Sequence, residues 1–116
     1  MSYRLASPIG LALVCAAILF HHAAGALAAG AGGKPATHTI TIEAVAYQPA
    51  SLVVRRGDTV VWVNKDPYPH TVTAAGVFDS RNIAGGASWR YVARVAGSFA
   101  YICTLHPNMK GTLTVR

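Results

Sequence analysis

Cysteine is scarce in this sequence, acids are outnumbered by bases, and no helical period is visible past the first apolar run. Each shortage closes off a class of protein. The two cysteines are Cys15 and Cys103. Cys15 lies inside the early apolar run, so the body of the chain keeps one thiol and an internal disulfide is excluded there. A lone thiol in an oxidising compartment is an intermolecular partner, a reactive group or a metal ligand. Four acids, Glu43, Asp58, Asp66 and Asp79, face ten lysines and arginines. Those cations are scattered as singles and pairs, without the run or helical stripe that reads nucleic acid. The basic balance favours an acidic protein partner or surface instead. There is no internal repeat, and past the leader no tract rich in His or Met.

The start of the chain has its own pattern. Met1 to Arg4 is a short cationic stretch, Ile9 to Phe20 ("IGLALVCAAILF") is apolar, and Ala26 to Ala28 ("ALA") offers small residues. This predicts a signal peptide over residues 1–28, cut after Ala28, and hence export to the periplasm. The alternative is an uncleaved membrane anchor, because Leu5 to Ala29 is mostly apolar and about 20 such residues span a bilayer. Pro8 and the His21-His22 pair weaken it. Val14 before Cys15 departs from a lipid-attachment pattern, which has a small residue there. With no twin arginine ahead of the run, the chain is expected to cross unfolded and to acquire any metal outside the cytoplasm. Residues 29–36 ("AGAGGKPA") read as a flexible tether, and 37–116 as one domain.

That domain reads as strand throughout. Thr37 to Ala44 alternates, with Ile40, Ile42 and Ala44 on one face. Ser51 to Asn64 is two β-branched runs around an Arg-Gly-Asp turn, where Gly57 can take a positive φ. In the second run Val60, Trp62 and Asn64 share a face, so a polar Asn ends an apolar side. Further strands are predicted at His70 to Ala74, Ser88 to Val95, Ser98 to Cys103 and Gly111 to Arg116, punctuated by glycines. Many short strands between turns imply an all-β sandwich or barrel. Trp62, Tyr91, Phe99 and Tyr101 read as its core. Arg55, Arg56, Arg90 and Arg94 read as solvated charges on outer faces, and His38 as a solvated residue.

The chemistry concentrates in "CTLHPNMK". Cys103, His106 and Met109 follow C-x-x-H-x-x-M, and His70 stands upstream in another strand. Thiolate, imidazole and thioether together select a soft or borderline transition metal, and copper accepts all three in both its common oxidation states. Zinc more often recruits a second cysteine or a carboxylate. Two histidines and a cysteine with a weak axial methionine form the ligand set of blue-copper electron-transfer sites. Four protein donors leave no open position for substrate, and no acid-base pair lies nearby, so the pattern argues against an enzyme.

The stretches "LVVRRGDTVVWVNKDPYPHTV", "GSFAYICTLHPNMKGTLTV" and, more loosely, "FDSRNIAGGASWRYV" resemble the cupredoxin family of type 1 blue copper proteins. The ligand-loop spacing is similar to that of its amicyanin-like and plastocyanin-like members. The resemblance implies an all-β Greek-key β-sandwich of about eight strands, one type 1 copper ion at one end, and the work of a one-electron carrier between redox proteins. It implies His70 and His106 as nitrogen ligands, Cys103 as thiolate and Met109 as axial ligand. Asn64 is then expected to tie the ligand loops together near Thr104. The edge of His106 would be the electron exit, bordered by Pro107, Asn108 and Met109. Leu105 and Asn108 depart from the amicyanin-like pattern, which has Pro and Phe there, so the redox tuning and the partner-facing surface are expected to differ. Lys65 and Lys110 flank the loops as a basic rim for an acidic partner. The expected partners are redox proteins with an acidic or apolar docking face, with no nucleic acid and no substrate, and the chain is expected to be a monomer. The alternative is a periplasmic copper buffer or chaperone that passes the ion and not the electron.

Overall fold

The computed structural model describes residues 33–116. The expected signal peptide, 1–28, and the first half of the expected tether, 29–36, lie outside the described residues. Nine short strands follow in order: β1 Thr37–Glu43, β2 Ala46–Gln48, β3 Ser51–Val54, β4 Thr59–Asn64, β5 Thr73–Ala74, β6 Phe78–Asp79, β7 Ser88–Val92, β8 Gly97–Cys103 and β9 His106–Val115. There is no helix among the described residues.

They form a four-stranded sheet in the order β2-β1-β4-β7 and a five-stranded sheet in the order β3-β9-β8-β5-β6. Two pairings are parallel, β1 with β4 and β3 with β9. The Arg-Gly-Asp turn therefore joins strands of different sheets. Gly57 takes φ 93° there, and the amide of Asp58 donates to the carbonyl of Arg55 at 3.0 Å. The chain turns a corner between layers where a hairpin would have kept both runs in one sheet.

Alternation decides which side faces in. On β4, Val60, Trp62 and Asn64 are fully buried, as a period of two requires. Trp62 lies at the centre, with ring centroids 5.5 Å from Trp89, 5.6 Å from Tyr101 and 6.1 Å from Phe78. Its indole N–H donates across the sandwich to the Tyr101 hydroxyl at 3.3 Å. Buried Ile40, Ile42, Leu113 and Val115 complete the inner faces. Of the aromatic residues expected in the core, Trp62 and Tyr101 are buried, while Tyr91 and Phe99 pack against it half-buried.

Two strands differ from expectation in ways that shape the site. β9 begins at His106, not at Gly111, and pairs with β8 from Cys103 opposite His106, across a register shift at Ile102 and Cys103. Of the stretch from His70 to Ala74 only Thr73–Ala74 is strand. His70 makes an isolated bridge with Ile83. Cys103 and His106 thus face each other across the end of a tight hairpin, and His70 enters from the loop after β4.

Candidate metal centre

Cys103 is fully buried at the end of β8. Its Sγ lies 3.7 Å from Nδ1 of His70 and 3.7 Å from Nδ1 of His106, and the three donors all fall within 4.8 Å of one another. Nitrogen and sulfur donors held at about 2.0 and 2.3 Å from one metal ion, and set about 120° apart, stand about 3.7 Å from each other. The spacing therefore fits a metal between all three. Met109, three residues further along β9, is buried. The donor set is soft sulfur plus imidazole, with no carboxylate ligand, which suits copper.

The residues behind the donors set their direction. Nε2 of His70 is 2.7 Å from Oδ2 of Asp66, so the far side of the ring is fixed and Nδ1 is left facing Cys103. The same carboxylate accepts the amides of Ala44 at 2.8 Å and Val45 at 3.0 Å. These bonds hold the Asp66 carboxyl below the usual carboxylate range, the Val45 amide contributing most. The Thr71 amide donates to Cys103 Sγ at 3.3 Å, directing the sulfur and favouring electron density on it. Thr71 also bridges the two ligand loops: its Oγ1 accepts the Thr104 amide at 2.8 Å and lies 3.1 Å from Thr104 Oγ1. Beneath the site the hydroxyl of Tyr47 donates to the Thr71 carbonyl. Burial pushes the phenols of Tyr47 and Tyr101 up, the latter to about 12, so both rings stay neutral.

Burial differs sharply between the donors. His70, Cys103 and Met109 are closed off, whereas His106 is half-buried. It lines an open depression with Val45, Leu105, Pro107, Asn108 and Met109. The ring of Tyr68, 41% exposed, lies with its centroid 5.3 Å from His70 and 6.0 Å from His106.

A family model described as "Cupredoxin-like domain" matches residues 10–115. The chain belongs to the cupredoxin family. It is 32% identical over 91 residues to a plastocyanin of Scenedesmus fuscus, an alignment covering 63% of this chain and 89% of that protein. It is 33% identical over 82 residues to an amicyanin of Paracoccus denitrificans, covering 66% of this chain and 63% of the amicyanin. Among solved structures, an oxidised amicyanin variant superposes with a TM-score of 0.65 at 30% identity, covering 69% of this chain and 82% of that one. With the donor geometry, this makes copper the cofactor of the cupredoxin domain, which the grouped His70, Cys103 and His106 would hold, with buried Met109 three residues beyond His106.

One expected contact is corrected. Asn64 does not reach Thr104. Its Nδ2 donates to the carbonyls of Tyr68 at 2.8 Å and Ile83 at 2.9 Å, and its Oδ1 accepts the Asp66 amide at 3.0 Å. It braces the loop carrying Asp66 and His70, and the bridge to Thr104 falls to Thr71 because the β8 end lies beside Thr71. Asp66, Tyr68 and Thr71 were missed from the sequence. Lys65 and Lys110 are exposed near the metal end.

Proposed function

We propose that this cupredoxin is an exported one-electron carrier that takes and passes single electrons between redox proteins through the edge of His106, and has no enzymatic activity. Bound copper would supply the one-electron couple, alternating between Cu(II) and Cu(I). The chain's own residues keep the donors in place in both states, hold substrate out, and leave one imidazole edge at the surface. The observation that carries this reading is the contrast between three closed-off donors and half-buried His106 in an open apolar depression. A preset ligand cage needs little rearrangement when the electron moves, and an apolar mouth suits brief docking with more than one partner. The copper buffer or chaperone reading is disfavoured, because such carriers need exposed and exchangeable donors, whereas Cys103 and His70 are fully buried.

Export rests on the leader pattern of residues 1–28, and periplasmic residence follows from it. In this proposal the docking face is apolar at its centre, where Val45, Leu105 and Pro107 are exposed beside His106. Lys65 and Lys110 are a sparse basic rim that Asp66 does not neutralise, its carboxylate being bonded to His70 and the amides of Ala44 and Val45. Adding Cu(II) to the purified chain tests the reading. An intense visible band from thiolate-to-copper charge transfer, reversible by one electron and absent in Cys103→Ala, is expected. A colourless copper complex of the wild type would refute it.

A further inference from the structure

The charges that look scattered in the sequence are sorted by the fold. Around the metal end stand Lys65 and Lys110 with exposed Glu43, while Asp66 is turned inward onto His70 and the amides of Ala44 and Val45, and Asp79 and Arg81 pair with each other at 3.8 Å. That end has two free cations against one free acid. The opposite end is more one-sided. The register pairs Thr37 with Thr59, Thr59 with Val92, Val54 with Val115 and Gly97 with Val115, so the residues just beyond these ends share one pole. They are Lys34, Arg55, Arg56, Arg94 and Arg116, all exposed. None of the five is in an ion pair among the described residues. The acidic side chain of this pole is Asp58, 5% exposed. Its carboxylate is spent inward on the amides of Ala36 and Arg55 and on Nε2 of His38. The net positive charge of the domain is therefore concentrated at the end farthest from the metal.

The segment preceding the described residues joins the domain at this same pole. A Cβ placed on Gly33 would stand 3.2 Å from Arg55 Nη1. Five exposed cations spread over one pole, whose acidic side chain is turned inward, complement an extended surface of negative charge. We propose that the basic pole is a second docking surface, for the anionic phospholipid headgroups of a membrane, and that it turns the His106 end outward toward redox partners. Several cations brought to an anionic surface add small attractions that are lost as salt shortens their reach. That reach falls from about 10 Å at 0.1 M to about 3 Å at 1 M.

The test uses the copper-loaded full chain with sedimenting vesicles of one part phosphatidylglycerol to three parts phosphatidylcholine, and of phosphatidylcholine alone. Subtracting the second from the first removes the contribution of the apolar run, and the substitutions at the pole separate its charge from that of Met1 to Arg4. The anionic vesicles are expected to bind at least tenfold more tightly at low salt and to lose that advantage at 1 M salt. The combined substitution Arg55→Gln, Arg56→Gln and Arg94→Gln should abolish the advantage, and Lys65→Gln with Lys110→Gln should keep it. Reduction of the bound protein by a small soluble reductant should proceed as fast as in solution. Equal binding to both vesicles, equal loss in the two variants, or slowed reduction on the vesicle would overturn the proposal. So would release by millimolar inorganic phosphate, which would assign these cations to a discrete phosphate site in the hollow lined by Lys34, His38, Arg55 and Arg116.

Discussion

Oδ2 of Asp66 lies 2.7 Å from Nε2 of His70, while the same carboxylate caps the turn between β1 and β2 through the amides of Ala44 and Val45. One side chain thus fixes a ligand ring and the loop beside it. Replacing Asp66 by Ala removes the group that orients His70 and orphans two amides. Copper affinity is expected to fall roughly 10- to 100-fold, as for other partners of ligating histidines. Competition titration against a chelator measures it. An unchanged affinity would show that His70 is held by packing alone.

The turn that Asp66 caps is strained in its own right. Ala44 and Val45 take φ of 52° and 59°, a region that favours Asn and Gly and penalises a β-branched side chain. The two bonds to Asp66 offset that penalty. Ala44→Asn with Val45→Gly is expected to raise stability by about 1 to 2 kcal/mol by removing it. The midpoint of chemical denaturation should move up, and a downward shift would mean that the Val45 side chain contributes more than its backbone costs.

At Gly111 the constraint is space. A Cβ there would overlap the ring of Tyr101, a residue 1% exposed whose hydroxyl accepts the Trp62 indole N–H. Gly111→Ala must displace Tyr101 or β9, and is expected to cost about 1 to 3 kcal/mol or more, as overpacking does. Thermal unfolding and tryptophan fluorescence would report it together, since Trp62 loses its partner when the ring shifts. Wild-type values of both would show that β9 can yield without cost.

The His106 mouth can be probed without knowing a partner, by electron self-exchange between oxidised and reduced copies of the protein. Leu105, 47% exposed, borders the depression beside His106. Leu105→Glu places like charges face to face when two mouths meet. The exchange rate is expected to drop about tenfold at low ionic strength and to recover with salt. A rate indifferent to the substitution would move the exit away from His106.

What the sequence made legible was whatever repeats or clusters locally. Alternation placed Val60, Trp62 and Asn64 on the buried face of β4, and C-x-x-H-x-x-M put three ligands in one loop. Contacts made across the fold left no such trace. Thr71 and Thr104 are 33 residues apart, and nothing local marks either. Asp66 and His70 sit in a loop without period, so their pairing follows only from the path between the sheets. The parallel pairing of β1 with β4 brings Lys34 to the same end as Arg55, and the basic pole exists only once that is known. His38, read as a solvated residue, proves to be Asp58's partner for the same reason: β1 and β4 run side by side.

That last pairing carries a pH dependence of defined sign. The Ala36 amide, His38 and the Arg55 amide hold the Asp58 carboxyl down to about 2, against about 3.9 for an unfolded aspartate. A carboxyl depressed in the folded state binds its proton more readily once unfolded. Its stabilising contribution is therefore complete above about pH 4 and is lost as pH falls toward about 2. Asp58→Asn keeps one acceptor oxygen and removes the charge. Measured on metal-free protein, so that copper loss does not contribute, the wild type should unfold at a higher denaturant concentration than the variant at pH 5. The gap should narrow as the pH approaches 2. Asp66 is depressed in the same direction and remains in both proteins, so the wild-type curve and the variant curve both fall, the wild type more steeply. Parallel curves over this range would mean that Asp58 is no better bonded in the folded chain than in the unfolded one, against the three bonds described.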